Sequence, residues 1–345
     1  MSFGALPQTP QGPLALDPFF YLYPWGVLFM QTVLLTAIGS ASAHAAHLSL
    51  TATGYRVLGC DIYPQTWNVT AADVAAFFTV PLASDADAYA AALLAAAREH
   101  SIDFIIPLTD VEVDALAPRK AAFAAQGVTL CCPDAPVAAL CRDKLRMADT
   151  LRAAAIAEVI PTYTAATLPT DAPFPLMLKP RRGRSSQAQT VVRSAEELRW
   201  ALALRDDYII QPFIAGDIYT VDCARDTLGG MVALTRRELL RTVNGLGTTV
   251  EICPAHPLDA VCKAIMTHAG LVGVCNMEFI QSGGAYCFLE VNPRFSGGVG
   301  FSALAGYDFA LAMLRCHAGE PLAPAPAFAP MTLAQRYEMR VTARR

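Results

Sequence analysis

No lysine or arginine occurs before Arg56, and charged residues make up only 16% of the 345-residue chain. With a net charge of −4 and no basic block, the chain lacks the electrostatic footprint of a protein that tracks nucleic acid, and no such partner is expected. None of the ten cysteines (60, 131, 132, 141, 223, 253, 262, 275, 287 and 316) stands in a C-x-x-C pair, which removes the usual zinc and dithiol spacings. Most lie in apolar runs and read as buried free thiols in a reducing, cytoplasmic setting. The dinucleotide fingerprint G-x-G-x-x-G is also missing. Gly39-Ser40-Ala41-Ser42-Ala43-His44 stands in its place, which opposes the NAD-dependent oxidoreductase that a βαβ start would otherwise suggest. Asp61 then reads as a turn residue. Phe19 to Ile38 has the length of a membrane span, but Pro24, Gly26 and Gln31 interrupt it and no positive segment precedes it. Neither a membrane segment nor a secretory signal is expected. Residues 1–30 read instead as an extension rich in proline and aromatics, with Met30 a candidate native start.

What is present suits an enzyme of two or three domains, with 54% apolar residues. From Thr32 strands and helices alternate: strand 32–37, helix 41–53, strand 56–61, helix 85–100, then short apolar runs at 104–107 and 128–131. This predicts a parallel α/β domain over residues 31–140. Cys141 to Ala155 reads as one helix carrying Asp143-Lys144. A strand at 176–179, a helix opened by Ser194 with Glu197 in a capping box, and strands near 208–213, 218–224, 230–234, 275–280 and 286–291 predict an α+β second half. A helix is expected over 257–269. The half divides into a small subdomain, 141–208, and a larger one, 209–345. Pro321–Pro330 reads as a stiff linker, with a last strand at 337–341.

Three stretches carry chemistry. Lys179 ends a strand beside Gly183-Arg184-Ser185-Ser186, a cation followed by backbone N–H groups that suit phosphate oxygens. Gln211-Pro212-Phe213-Ile214 can offer an apolar hinge to a planar base. Glu290 and Asn292, two apart on a strand, project from one face and provide hard oxygen donors of the kind magnesium takes. Glu278 precedes them across Ser282-Gly283-Gly284. Because 278 and 290 are an even number of positions apart, they share a face only if the hairpin has an odd loop or a bulge, and a three-residue loop around Gly283-Gly284 is expected. Lys179 should point into the same cleft. His44 and His47, three apart on a helix, read as surface residues. Asp110 and Glu112 follow a strand end, where α/β sheets hold ligands, or else simply start a helix.

From Thr32 to about Glu320 the chain resembles the ATP-grasp superfamily, and within it the short, unduplicated relatives of the carbamoyl-phosphate synthase large subunit. The residues that carry the resemblance are Asp143-Lys144, Leu178-Lys179-Pro180 with the glycine loop, Gly216–Asp222, Met277-Glu278-Phe279 and Glu290-Val291-Asn292-Pro293-Arg294-Phe295-Ser296-Gly297-Gly298. The resemblance implies a pre-ATP-grasp α/β domain followed by an ATP-grasp domain of two α+β subdomains. It implies ATP and Mg²⁺ as cofactors, with Mn²⁺ as a substitute ion. Lys144 and Lys179 would contact the α- and β-phosphates, and Gly183, Ser185 and Ser186 would close over them. Gln211, Pro212, Phe213 and Ile214 would line the adenine slot, with Met277 and Leu289 as further walls. Glu278, Glu290 and Asn292 would hold the metal. Arg294, with Lys179, would serve the transferring phosphoryl group, and Arg236, Arg237 and Arg241 are placed to join them.

Two departures stand out. Gln211 occupies a position usually filled by glutamate, and the usual ribose carboxylate is Ile218 here, leaving Asp217 as an offset substitute. The implied activity is an ADP-forming ligase that activates a small carboxylate as an acyl phosphate for attack by an amine. Its partners would be these small molecules, and the reading is compatible with a homodimer. A nucleotide-binding regulatory protein with this fold but little turnover is the alternative that the departures favour.

Overall fold

The computed structural model describes residues 30–183, 187–336 and 339–343. The expected extension therefore lies outside the described residues except for Met30, as do Arg184, Ser185 and Ser186 of the glycine loop. No helix among the described residues is long and apolar enough to cross a membrane.

The first unit begins with β1 (Thr32–Leu35), α1 (Ala41–Ala52), β2 (Arg56–Asp61), β3 (Phe77–Thr79) and α2 (Ala86–His100). It continues through β4 (Phe104–Ile106), α3 (Asp110–Leu116), α4 (Lys120–Ala124), β5 (Thr129–Leu130) and α5 (Ala135–Arg142). Its strands form a five-stranded parallel sheet in the order β3-β2-β1-β4-β5. The continuous apolar run of β1 is buried on both faces, as a central parallel strand requires. Local chemistry sets the helix ends. Asp85 caps α2 by accepting from Ala88 N–H, and Ser101 closes it in the left-handed region. Thr109 and Glu112 form a capping box at α3.

The helix expected over 141–155 is split. Asp143 ends α5 and caps α6 (Lys144–Ala153), accepting from Arg146 N–H at 3.0 Å. Next comes β6 (Glu158–Val159), then a small antiparallel sheet of β7 (Leu176–Pro180), β8 (Thr190–Val192) and β9 (Tyr208–Pro212), backed by α7 (Ala195–Leu204) and ordered β8-β7-β9. The division expected after residue 208 thus falls inside β9, and β6 pairs with the large sheet rather than the small one.

The large sheet is built from β10 (Asp217–Arg225), β11 (Met231–Arg241), β12 (Gly247–Cys253), β13 (Gly273–Ser282) and β14 (Ala285–Asn292), with α8 (Pro257–Ala269) between β12 and β13. After α9 (Val299–Leu304) and α10 (Phe309–Ala318), β15 (Met331–Ala334) completes the order β15-β12-β11-β10-β13-β14-β6. The last strand is therefore 331–334 and not 337–341; of the latter, 339–341 are not strand and 337–338 lie outside the described residues. The proline-rich segment is no free linker, because Leu322 and Phe328 pack on the core and Leu322 N–H donates to Asp226.

Alternation along the central strands gives the large sheet two distinct faces. Tyr219, Val221, Cys223, Cys275, Met277 and Phe279 pack into a core with α8. The opposite face carries Thr220, Asn276 and Glu278 into a cleft, while Ala224 and Val274 beside them join a core shared with the parallel domain through α10. That shared core positions the carboxyl ends of β1 and β4 over the cleft.

Candidate active site

A cleft of about 530 Å³ lies between the inner face of the large sheet, the small sheet and the carboxyl edge of the parallel sheet. Cross-strand register aligns Glu290, Glu278, Thr220 and Arg236 in one row over β14, β13, β10 and β11. Asn292, Asn276 and Asp222 form the row beside it. On the other side, Ile280 and Ile218 are paired and line the cleft.

Glu278 and Glu290 are direct partners, though by a different route from the expected three-residue loop. The turn has two residues, Gly283 and Gly284, with φ of +58° and +85° between paired Ser282 and Ala285. Positive φ at both positions is the geometry of the tight hairpin turn that matches strand twist, and glycine meets it without strain. A bulge then intervenes, since Phe279 pairs with Phe288 while Glu278 pairs with Glu290. Leu289 is the extra residue. Without it Glu290 would face the core.

Both carboxylates are matched by cations. Glu290 lies 3.3 Å from Lys144 Nζ and accepts from Asn292 Nδ2 at 3.2 Å. Glu278 accepts twice from Arg241 Nη2, at 3.1 and 2.9 Å. Burial, reinforced by the charge of Glu290, pushes the Glu278 carboxyl up. Burial also opposes ionisation of Glu290, but Lys144, Asn292 and Lys179 outweigh it and hold that carboxyl down. Lys179 lines the cleft, and burial lowers its pKa despite Glu290 nearby. Lys144 Nζ also donates to Gly183 O at 2.9 Å, and neither of these two residues is part of the cleft lining.

Arg294 reaches across the domains. Its Nε and Nη2 donate to both oxygens of Asp110 at 3.0 and 2.9 Å. Asp110 lines the cleft, whereas Glu112 is consumed by its cap and by Tyr89 and Thr36. Gln211, Pro212, Phe213, Ile214, Met177, Ile160 and Leu289 form an apolar end to the cleft. Gln211 Nε2 donates to Thr162 Oγ1 at 2.8 Å, and that hydroxyl in turn donates to Ile160 O. This fixes the amide, leaving Gln211 Oε1 buried without a partner.

Three expected residues are elsewhere. Met277 is fully buried in the α8 core, because its neighbour Glu278 already takes the cleft face. Asp217 is exposed and pairs with Arg237 at 3.5 Å, and neither residue lines the cleft. Arg236, Glu238, Arg241 and Gln187 do line it. Of these Glu238 and Gln187 sit outside every motif, and no local signal marks them. His44 and His47 bond to Thr70 and Thr51, and no metal-ligating group of three or more His, Cys, Asp or Glu occurs among the described residues.

Residues 205–339 match the family model described as ATP-grasp in the biosynthetic pathway with Ter operon, and residues 33–131 match the PylC-like N-terminal domain. Over residues 205–339 the chain belongs to the ATP-grasp superfamily. The chain is 30% identical over 166 residues to the carbamoyl phosphate synthase large chain of Neisseria meningitidis serogroup B, a match covering 42% of it and 15% of the relative. It is 26% identical over 289 residues to the formate-dependent phosphoribosylglycinamide formyltransferase of Parasynechococcus marenigrum, covering 77% and 71% of the two chains. It thus spans only a small part of the synthase and most of the transferase. Among solved structures, the biotin carboxylase domain of Hydrogenobacter thermophilus 2-oxoglutarate carboxylase, in complex with MgADP, ADP and bicarbonate, superposes with a TM-score of 0.71 at 18% identity, over 86% of this chain and 72% of that one. At that identity the likeness is one of fold.

Proposed function

We propose that the protein is an ADP-forming ligase that activates a small carboxylate with ATP and passes the acyl group to an amine. The observation that carries this reading is the row in which Glu278 and Glu290 face each other across a bulged hairpin, with Lys179 and Arg294 lining the same cleft and Lys144 paired with Glu290. The relatives described above, a carbamoyl phosphate synthase, a formyltransferase and a carboxylase domain in complex with MgADP and bicarbonate, agree with it.

The residues present fit a divalent ion. Two carboxylates and the Asn292 amide oxygen form a hard donor set, and the upward push on Glu278, caused first by burial and then by the charge of Glu290, is one that a cation would relieve. Glu278, Glu290 and Asn292 would hold Mg²⁺, which draws charge from the β- and γ-phosphates when bound. The adenine would lie in the apolar end, where Gln211 Oε1 can accept from its exocyclic amine. Lys144 and Lys179 would neutralise the α- and β-phosphates. The substrate carboxylate attacks the γ-phosphorus, the bond to the β-bridging oxygen breaks, and ADP leaves. Arg294, oriented by Asp110, would meet the charge developing on the phosphoryl oxygens. An amine then adds to the acyl carbon and phosphate departs.

The test is Glu290→Gln assayed for ADP release with ATP, Mg²⁺ and a panel of carboxylates and amines. Wild type should release ADP with at least one pair, and the variant should lose about 100-fold or more while keeping its melting temperature. Wild-type turnover in the variant would refute the metal assignment. Nucleotide binding with no carboxylate-dependent ADP release would favour the regulatory alternative.

A further inference from the structure

The cluster beneath the cleft floor is out of balance. Arg236 donates through Nη1 to Asp222 at 2.6 Å, through Nε to Glu238 at 3.1 Å and through Nη2 to Ser296 at 3.0 Å. Asp222 also receives the Ser302 hydroxyl. One guanidinium therefore serves two carboxylates, whose side chains are 1% and 3% exposed. Each carboxylate keeps one buried oxygen without a partner, Asp222 Oδ1 and Glu238 Oε2. Of the two residues only Glu238 lines the cleft. A buried acceptor left unmade is costly, so an oxygen in this position is best explained by a donor that arrives with a ligand.

Its place in the sheet indicates which part of a ligand that is. Two residues beyond Arg236 on β11, Glu238 returns to the cleft face one row from Glu278 and Thr220. That is the row of Ile218 and Ile280, which adjoins the apolar end. Glu238 thus stands between the base slot and the phosphate and metal row, the stretch that the sugar of a nucleotide must cross. Asp217, the offset substitute considered from the sequence, faces away and pairs with Arg237.

We infer that Glu238 is a specificity-determining residue that accepts the ribose hydroxyls of the bound nucleotide. The carboxylate that position 218 lacks is supplied by the neighbouring strand. Arg236 holds one oxygen of Glu238 and orients the other toward the sugar. Gly247 completes the arrangement, because a Cβ there would lie 1.7 Å from Glu238 Oε2. Only a glycine lets the carboxylate rest in this position. The inference rests on the nucleotide reading above.

The experiment is equilibrium binding of MgADP and its 2′-deoxy and 3′-deoxy analogues to the full chain, for wild type, Glu238→Gln and Glu238→Ala. Wild type should prefer ADP to at least one deoxy analogue by about 10- to 100-fold, the worth of a hydrogen bond to a charged group. In Glu238→Ala the preference should fall to within about threefold, with the affinity for that deoxy analogue little changed. Glu238→Gln, which can still accept from Arg236, should retain the melting temperature yet lose most of the preference. Gly247→Ala should lose it too, with the carboxylate still present. Equal binding of all three nucleotides by wild type overturns the inference and leaves the nucleotide reading standing. So does a loss in Glu238→Ala that is equal for all three, which would make Glu238 a support for Arg236 only. If no adenine nucleotide binds, the nucleotide reading fails and the inference with it.

Discussion

Replacing Asp110 by Asn probes an ion pair that ties the parallel domain to the segment after β14. Asp110 and Arg294 are 184 positions apart and make a two-bonded contact, with side chains 2% and 18% exposed. Burial alone would raise the Asp110 carboxyl, but Arg294 outweighs it and holds the group below the ordinary carboxylate range. Removing one partner of a buried pair typically costs about 3–5 kcal/mol. Arg294 keeps its bond to Phe295 O and some contact with water, so about 2–3 kcal/mol is expected here. The sign with pH follows from the depressed value. The pair's contribution is complete above the unfolded carboxylate's range near pH 4 and is lost as pH falls through the lower folded value. Urea unfolding of wild type and Asp110→Asn should therefore differ by a constant amount from pH 8 down to about 5, and the curves should converge in strong acid. A cycle with Arg294→Gln should return most of the same energy as coupling. A difference below about 0.5 kcal/mol at pH 7, or a cycle with no coupling, would refute the assignment of this contact as a domain tie.

Elements with strong local signals were legible before any coordinates. Pro257–Ala269 forms with the bounds read from the sequence, and Asp85 and Ser194 cap their helices as their positions suggested. The miss at residues 141–155 is also local: Asp143 was read as a helix passenger when its side chain ends one helix and starts another. Short strands such as β3, β8 and β12 escaped because three to seven residues of mixed polarity carry little periodicity, and their strand character comes from neighbours distant in sequence. The hairpin shows where parity arguments succeed and where they stop. Sharing of a face by residues 278 and 290 required an odd loop or a bulge, and sequence cannot say which. The diglycine favours a two-residue turn, which then demands one extra residue before Glu290, and the register shows it to be Leu289. The same parity excludes Met277 from the cleft once Glu278 lines it, so that error was avoidable. Glu238 was different. Nothing local marks it, and its meaning arises only when β11 is laid against β10; Arg241 stood among the candidate arginines, but its contact with Glu278 depends on the bulges of β11.

The buried thiols give a simple check. Eight of the ten cysteines are buried, with Cys132 and Cys316 both pushed up to about 12 by burial, so a thiol reagent at pH 8 should modify quickly no more than Cys253 and Cys287 in native protein and all ten after unfolding. Rapid modification of four or more would contradict the packing. The last prediction concerns Arg241→Gln. Arg241 bonds both oxygens of Glu278 and anchors its own strand through Nε to Gly245 O at 2.8 Å, so the guanidinium occupies the side of Glu278 that a divalent ion would approach. Ion and guanidinium then compete for one carboxylate whose ionisation is already opposed by burial and by Glu290. Removing the guanidinium should tighten Mn²⁺ binding without nucleotide by about tenfold, the worth of one charge-assisted contact. Nucleotide affinity should move the other way, because a cation facing the phosphates is lost. Paramagnetic titration of Mn²⁺ alone, followed by ADP binding at saturating Mn²⁺, separates the two effects. A fall in Mn²⁺ affinity would mean that Arg241 holds Glu278 in position for the ion, and competition between them would be ruled out.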